Sequence, residues 1–213
     1  MVTDFVKWLK SQSNDPRKWV VVGKGPSFKS AYECQEEGFR FFCLNDAAIM
    51  MADRAHVAHF TDWEAYVRAR EALPKSTIIV MPWRPHEKNT VGRRTLMDWH
   101  LFDPQIGVRL ASRTLMTYHS DLDKKPTMPG LSKVRVRKFS AVAAINLLGA
   151  GGVKKIFLSG IDGGKLYADC FDTSTLLING QRSFSAQNSE IERAKTAYRL
   201  ELSCLSERLC HGQ

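Results

Sequence analysis

The segment Trp19-Val20-Val21-Val22-Gly23-Lys24-Gly25-Pro26-Ser27 limits what this chain can become more than any other. Its run of consecutive apolar residues reads as a buried strand. Gly23 and Gly25 then give a tight turn whose bare backbone lets a neighbour or a ligand come close. Pro26 suits the first turn of a helix, where its missing N–H would have no partner anyway. A helix over 27–37 is expected. A strand, a glycine turn and a helix start aim free N–H groups and the positive end of a helix at one place, which suits the phosphate of a nucleotide. Similar turns occur in α/β proteins that bind nothing there, and Gly-x-Gly alone has little specificity.

The chain then repeats this rhythm. Phe39-Arg40-Phe41-Phe42-Cys43-Leu44 is a second strand, ending in the turn pair Asn45-Asp46. His56-Val57-Ala58-His59-Phe60 is a third, with His56 and His59 expected on one face as ordinary strand residues. Thr61-Asp62-Trp63-Glu64 has capping-box spacing, with Thr61 as the cap of a helix that runs to residue 72. Thr77-Ile78-Ile79-Val80-Met81 is a fourth strand. Strands alternating with helices in this way predict an α/β fold, a mostly parallel sheet with helices on both faces.

From Pro82 the rhythm breaks. Pro85, Pro104 and Pro126 follow among scattered aromatics, so 82–138 is expected to be an irregular, lid-like insertion with a short strand near 114–118. Residues 133–138 alternate basic and apolar, as a half-exposed strand does. Residues 140–148 form a helix of small residues, ended by Gly149, Gly151 and Gly152. Lys155-Ile156-Phe157-Leu158 is a buried strand that runs into Ser159-Gly160-Ile161-Asp162-Gly163-Gly164. That loop leaves the carboxyl end of a strand, where open α/β sheets bind ligands. The last helix begins near Gln187, with Ile191, Ala194, Tyr198, Leu202 and Leu205 as its apolar stripe.

Composition narrows the partners. The 213 residues suit one α/β domain, and 31 Lys and Arg against 22 Asp and Glu leave a net charge of +9. Such a surface favours anions, from nucleotides to nucleic acid or acidic glycolipids. No zinc-finger or RNA-recognition spacing is present. No apolar run approaches the ~20 residues needed to cross a membrane. The first ten residues read as a short amphipathic helix and not a secretory leader, so a cytoplasmic protein is expected. Five cysteines without C-x-x-C spacing fit a reducing compartment, with Cys43, Cys170 and Cys204 read as core residues.

Taken in order, these stretches resemble the bacterial sialyltransferase family that caps lipooligosaccharide. The residues that carry the resemblance are Val20 through Ser27, Phe42-Cys43-Leu44-Asn45, Ser140 with its helix, Lys155 through Asp162, Phe171-Asp172-Thr173, and the final helix from Asn188. A related group of pterin-pyrophosphokinase-like proteins shares the Gly-Pro-Ser turn. The resemblance implies a single Rossmann-like, nucleotide-binding domain over 1–213 that transfers a sugar from a nucleotide donor, CMP-linked, without a metal or resident cofactor. Gly23, Lys24, Gly25, Pro26 and Ser27 would line the phosphate and ribose. Asn45 and Thr61 would reach the nucleotide from two strand ends, and Ser140 from a helix start. Gly160, Ile161 and Asp162 would hold the ribose or base edge, with Asp172 beside them. Arg137 would stand near the phosphate and Tyr167 would protonate the leaving group.

The departures from the family pattern are specific. Lys24 replaces an asparagine between the glycines, Thr61 replaces an asparagine at the third strand end, and Gly164 fills a tyrosine position. Ser185 falls where the family carries its catalytic histidine, and serine is no base near neutral pH unaided. His119 is the first substitute to consider, with His86 and His100 behind it, although a lone loop histidine is ordinarily just solvated. Asp121-Leu122-Asp123 matches a metal–nucleotide pattern but reads better as a charged turn. The acceptor would be a glycan or other hydroxyl compound, with a polyanion open given the charge, and a homo-oligomer is compatible with the sequence. Two alternatives stand beside this reading. One is pyrophosphoryl transfer from ATP to a pterin-like alcohol with magnesium. The other is a nucleotide-binding protein without catalysis.

Overall fold

The structure, a computed structural model, describes residues 2–12, 14–35, 37–88, 90–124, 128–136, 139–164, 166–171 and 185–210. Along the chain run β1 (Thr3–Asp4), α1 (Phe5–Ser11), β2 (Lys18–Val22), α2 (Phe28–Tyr32), β3 (Phe39–Leu44), α3 (Ala47–Met50) and β4 (Ala55–His59). Then come α4 (Trp63–Ala69), β5 (Ile78–Pro82), β6 (His86–Glu87), β7 (Thr90–Val91), α5 (Leu96–His100), α6 (Pro104–Ala111) and β8 (Leu115–Ser120). The remainder is β9 (Lys133–Val134), α7 (Ser140–Ala150), β10 (Lys155–Ser159), α8 (Ser185–Tyr198), β11 (Glu201–Cys204) and α9 (Leu205–Cys210).

The main sheet has the order β1-β8-β5-β4-β3-β2-β10-β11, with β9 beside β8. Every pairing in it is parallel, as expected of strands joined by helices. From β2 the chain builds outward through β3, β4 and β5. It later returns to the other side of β2 with β10, so the order reverses between β2 and β10.

Strand side chains alternate between two apolar layers. Val20 and Val22 face a core shared with Phe28, Ala47, Ala65, Leu96 and Ile106 of the helices on one side. Trp19 and Val21 face the core built by Phe5 and Leu9 of α1, Ile191 of α8, and α7. The middle of α7 is buried on all sides, which small residues permit. Gly149 lies against the Tyr198 ring, where a Cβ would meet Cγ at 2.6 Å, so α7 and α8 touch closely. Each buried aliphatic side chain contributes roughly 1.5–3 kcal/mol, and the all-apolar strand interiors follow from helices covering both faces.

Several expectations need correction. The segment expected to be irregular from residue 82 holds α5 and α6, and the short strand expected near 114–118 is β8, which joins the main sheet between β5 and the edge strand β1. The β6–β7 hairpin is its antiparallel part. The helix after the glycine turn is short, Phe28–Tyr32. The helix after β4 begins at Trp63 with Asp62, not Thr61, at its cap. The final stripe does not belong to one helix: α8 stops at Tyr198, Leu202 lies in β11 and Leu205 opens α9. Of the cysteines expected in the core, Cys43 is buried, Cys204 is partly buried and Cys170 is exposed, while Cys34 is buried as well. His56 and His59 are three residues apart and so fall on opposite faces. His59 is buried against the Tyr118 hydroxyl at 2.9 Å, and His56 lies beside Arg17.

Candidate functional site

A cavity of about 790 Å³ opens over the carboxyl ends of the strands at the reversal between β2 and β10. Gly23, Lys24 and Gly25 line it after β2, Asn45 after β3, and Thr61 and Asp62 after β4. Gly160 through Gly164 line it after β10, and Ser140 at the start of α7. His86 and Lys88 reach it from the hairpin, and Tyr167 and Gln187 complete the wall. Parallel strands end together, so residues far apart in sequence collect on one rim.

The two glycine turns grip each other. Gly23 N–H donates to Ser159 O and Gly25 N–H to Gly160 O, each at 2.8 Å. The Gly160 N–H donates to Ser27 Oγ at 2.8 Å, and Ser27 N–H to Asp162 Oδ2 at 3.2 Å. A Cβ on Gly25 would lie 2.1 Å from Asp162 Oδ2. Gly160 has φ +68, and a Cβ there would lie 2.3 Å from Gly23 O. The amides of Gly23, Gly25 and Ser27, expected to face an anion, are therefore committed to the neighbouring turn. Neither Pro26 nor Ser27 lines the cavity.

Instead, polar groups converge at the start of α7. Asn45 Nδ2 donates to Ser140 Oγ at 3.2 Å, and Thr61 Oγ1 lies 3.4 Å from the same hydroxyl. Asn45 takes φ 49, a left-handed conformation that asparagine tolerates better than most residues. This aims its amide back over the strand end while its N–H bonds His59 O at 3.1 Å. Its Oδ1 is buried with no hydrogen-bond partner among the described residues. The first N–H groups of an 11-residue helix open beside Ser140.

Lys24 is held in an ionic cluster. Its Nζ lies 2.8 Å from Asp46 Oδ2 and 4.5 Å from the centre of the Tyr167 ring, and Arg68 Nη2 lies 3.2 Å from Asp46 Oδ1. Burial opposes ionisation of Asp46, but the Lys24 hydrogen bond and the charges of Lys24 and Arg68 overcome it and hold the carboxyl below its usual range. Burial, and secondarily Asp46, raises the Tyr167 hydroxyl above the ordinary phenol value, so it stays protonated at neutral pH.

His119 lies away from this cavity. It is buried, with Nε2 at 2.8 Å from Met128 O, in a separate pocket with Asp123 and Lys133. Asp121 accepts the Val136 N–H at 2.7 Å and Asp123 sits 3.4 Å from Arg84, so the Asp-Leu-Asp turn is occupied within the fold. Arg137 and Asp172 lie outside the described residues. Ser185 opens α8.

The hairpin brings in a pair that sequence reasoning undervalued. His86 Nδ1 lies 3.7 Å from Asp62 Oδ1, and both side chains line the cavity. Burial lowers the His86 pKa. Asp62 is pushed up to about 6, chiefly by burial, with Glu64 adding and Arg68 opposing. His86 was named as a weaker candidate, but two-residue strands carry no periodicity that would place it.

Fold and cavity together define an α/β protein whose candidate site stands at the switch point of a parallel sheet. No family model and no curated protein matches the sequence. In fold the chain is similar to the monofunctional α-2,3-sialyltransferase Cst-I from Campylobacter jejuni, with 16% identity and a TM-score of 0.55 over 91% of this chain and 77% of that one. It is also similar to the sialyltransferase CST-II in complex with trisaccharide acceptor and CMP, with 18% identity and a TM-score of 0.50 over 89% and 81%. A third likeness is to an α-2,3-sialyltransferase from Campylobacter jejuni in apo form, with 15% identity, a TM-score of 0.50 and 89% and 75% covered. The chain thus shares the overall fold of these sialyltransferases. Among the described residues no helix is long and apolar enough to cross a membrane.

Proposed function

We propose that this chain is a glycosyltransferase that takes a CMP-linked sugar and passes it to a hydroxyl acceptor without a metal ion. The observation that carries the reading is the meeting of Asn45, Thr61 and Ser140 at the start of α7, inside the switch-point cavity. The sialyltransferase-type fold supports it, one such structure holding CMP and a trisaccharide acceptor.

In this reading the donor phosphate sits against the Ser140 hydroxyl and the N–H groups at the start of α7. The phosphate gains charge as the sugar departs, and a preformed positive helix end stabilises that charge more in the transition state than in the bound donor. Asn45 Oδ1 accepts from a donor hydroxyl or amino group. The exposed edge of Gly160, Ile161 and Asp162 takes the ribose or base. Tyr167, kept protonated, donates to the leaving phosphate oxygen. The Lys24–Asp46–Arg68 cluster holds its charges among themselves and shapes the wall. The net charge of +9 fits an anionic acceptor.

Calorimetry with CMP, UMP, GMP and ATP, with and without magnesium, tests this. CMP-selective binding that survives EDTA is the expected result. ATP binding that requires magnesium would replace the reading with pyrophosphoryl transfer. CMP binding without turnover of any CMP-sugar would leave a nucleotide-binding protein.

A further inference from the structure

Transfer to a hydroxyl needs a group that accepts its proton, and the serine at position 185 cannot do so unaided. Of the histidines considered, His119 is spent on Met128 O outside the cavity, and His100 packs against Gly107. His86 is the imidazole that lines the cavity among the described residues. Its backbone is fixed: His86 N–H bonds Thr61 O at 2.9 Å, and Lys88 N–H bonds Glu64 Oε1 at 3.1 Å. Both contacts tie the β6–β7 hairpin to the start of α4. The ring nitrogen toward the fold, Nδ1, faces Asp62 at 3.7 Å. The other, Nε2, is buried with no hydrogen-bond partner among the described residues.

Resting on the donor reading above, we propose that His86 Nε2 is the general base of the transfer and that Asp62 orients its ring. The acceptor hydroxyl oxygen forms a bond to the anomeric carbon. The bond from that carbon to the phosphate oxygen breaks, and its electron pair leaves with CMP. The hydroxyl proton goes to Nε2. The resulting imidazolium, with its charge shared to Nδ1, draws against the Asp62 carboxylate, closing a gap slightly long for a hydrogen bond in the empty site. The proton then leaves to solvent. The charged and titratable groups around the pair are Asp62, Glu64 and Arg68 at α4, Lys88 on the hairpin, and Tyr118 at the end of β8. Burial keeps the imidazole neutral at neutral pH, the state a base requires.

The test compares the unaltered protein, His86→Gln and Asp62→Asn, with CMP-N-acetylneuraminate as donor and both lactose and water as acceptors. CMP affinity is measured by calorimetry on the same samples. Expected is CMP affinity unchanged in His86→Gln, KM for the donor retained, and turnover lower by about 100-fold or more. The acid limb of its pH–rate profile should vanish. Asp62→Asn should lose about tenfold and move that limb, and free imidazole should restore turnover to His86→Gly. Full turnover with an intact acid limb in His86→Gln would overturn the assignment and leave the donor reading standing. Loss of CMP affinity in His86→Gln would make His86 a binding residue instead. No CMP binding or turnover by the unaltered protein would overturn both.

Discussion

Asn45 and Ser140 stand 95 residues apart in sequence, yet their side chains meet at 3.2 Å in the cavity wall. The contact joins the end of β3 to the start of α7. Asn45→Ala should remove it and also place alanine in a left-handed conformation, costing about 1–2 kcal/mol of stability. CMP affinity should fall by up to about tenfold, the value of one ordinary hydrogen bond. Ser140→Ala should lower CMP affinity similarly with little loss of stability. Calorimetry and thermal melts separate the two effects, and an unchanged affinity in both variants would remove the phosphate from this corner.

Ser27 should behave in the opposite way. Its hydroxyl serves the Gly160 N–H and does not line the cavity. Ser27→Ala should cost ~1–2 kcal/mol through the amide left unpaired, lowering Tm by about 2–8 °C. CMP affinity should not change. A variant that melts normally but binds CMP poorly would show that Ser27 touches the ligand.

The glycines divide into those the fold needs and those it does not. Gly160→Ala puts a Cβ against Gly23 O in a backbone conformation that alanine rarely adopts. It should cost more than about 3 kcal/mol. A Cβ on Gly164 meets nothing within 4 Å. Gly164→Ala should stay within about 0.5 kcal/mol of the unaltered protein, a contrast that urea denaturation resolves.

Stability should depend on pH through two buried groups of opposite sign. Burial lowers His59 to about 3 from 6.5, so the unfolded chain takes a proton that the folded one refuses, and stability is lost as pH falls through that window. Asp62, raised to about 6 from 3.8, keeps its proton longer when folded, and its contribution is lost as pH rises through that interval. Asp62→Asn removes the opposing contribution. Its urea midpoint should therefore rise more steeply between about pH 4 and pH 6 than that of the unaltered protein. Equal slopes would show that Asp62 titrates normally.

The sheet was legible where the physics is local. β2, β3, β5 and β10 are apolar runs because helices cover both faces of a parallel sheet, and the turns after β2 and β10 carry glycines because they interlock. The segment from residue 82 misled because its order comes from distant partners: a short strand near 114–118 was expected, but its pairing with β5 and β1 in the main sheet is not announced by its sequence. The end of α8 was missed because Arg199, at φ 53, makes the break where a glycine would have signalled it. Of the cavity residues, Asp162 was found from its place at a strand end, while Asn45, Thr61 and Ser140 were expected from the family resemblance. Ser27 was misplaced because a serine after a glycine turn serves a neighbouring loop as readily as a ligand.

The interlocked turns also set how the site responds to a ligand. Five hydrogen bonds join Gly23, Gly25 and Ser27 to Ser159, Gly160 and Asp162, each across 132 residues of sequence or more. The cavity floor is one stitched plate and is ordered before anything arrives, so binding loses little entropy there. The hairpin that carries His86 is tied to the start of α4 in the same way, through Thr61 O and Glu64 Oε1. Amide exchange should show this directly: protection at Gly23, Gly25 and Gly160 already equal to that of the core without nucleotide, and little changed on binding.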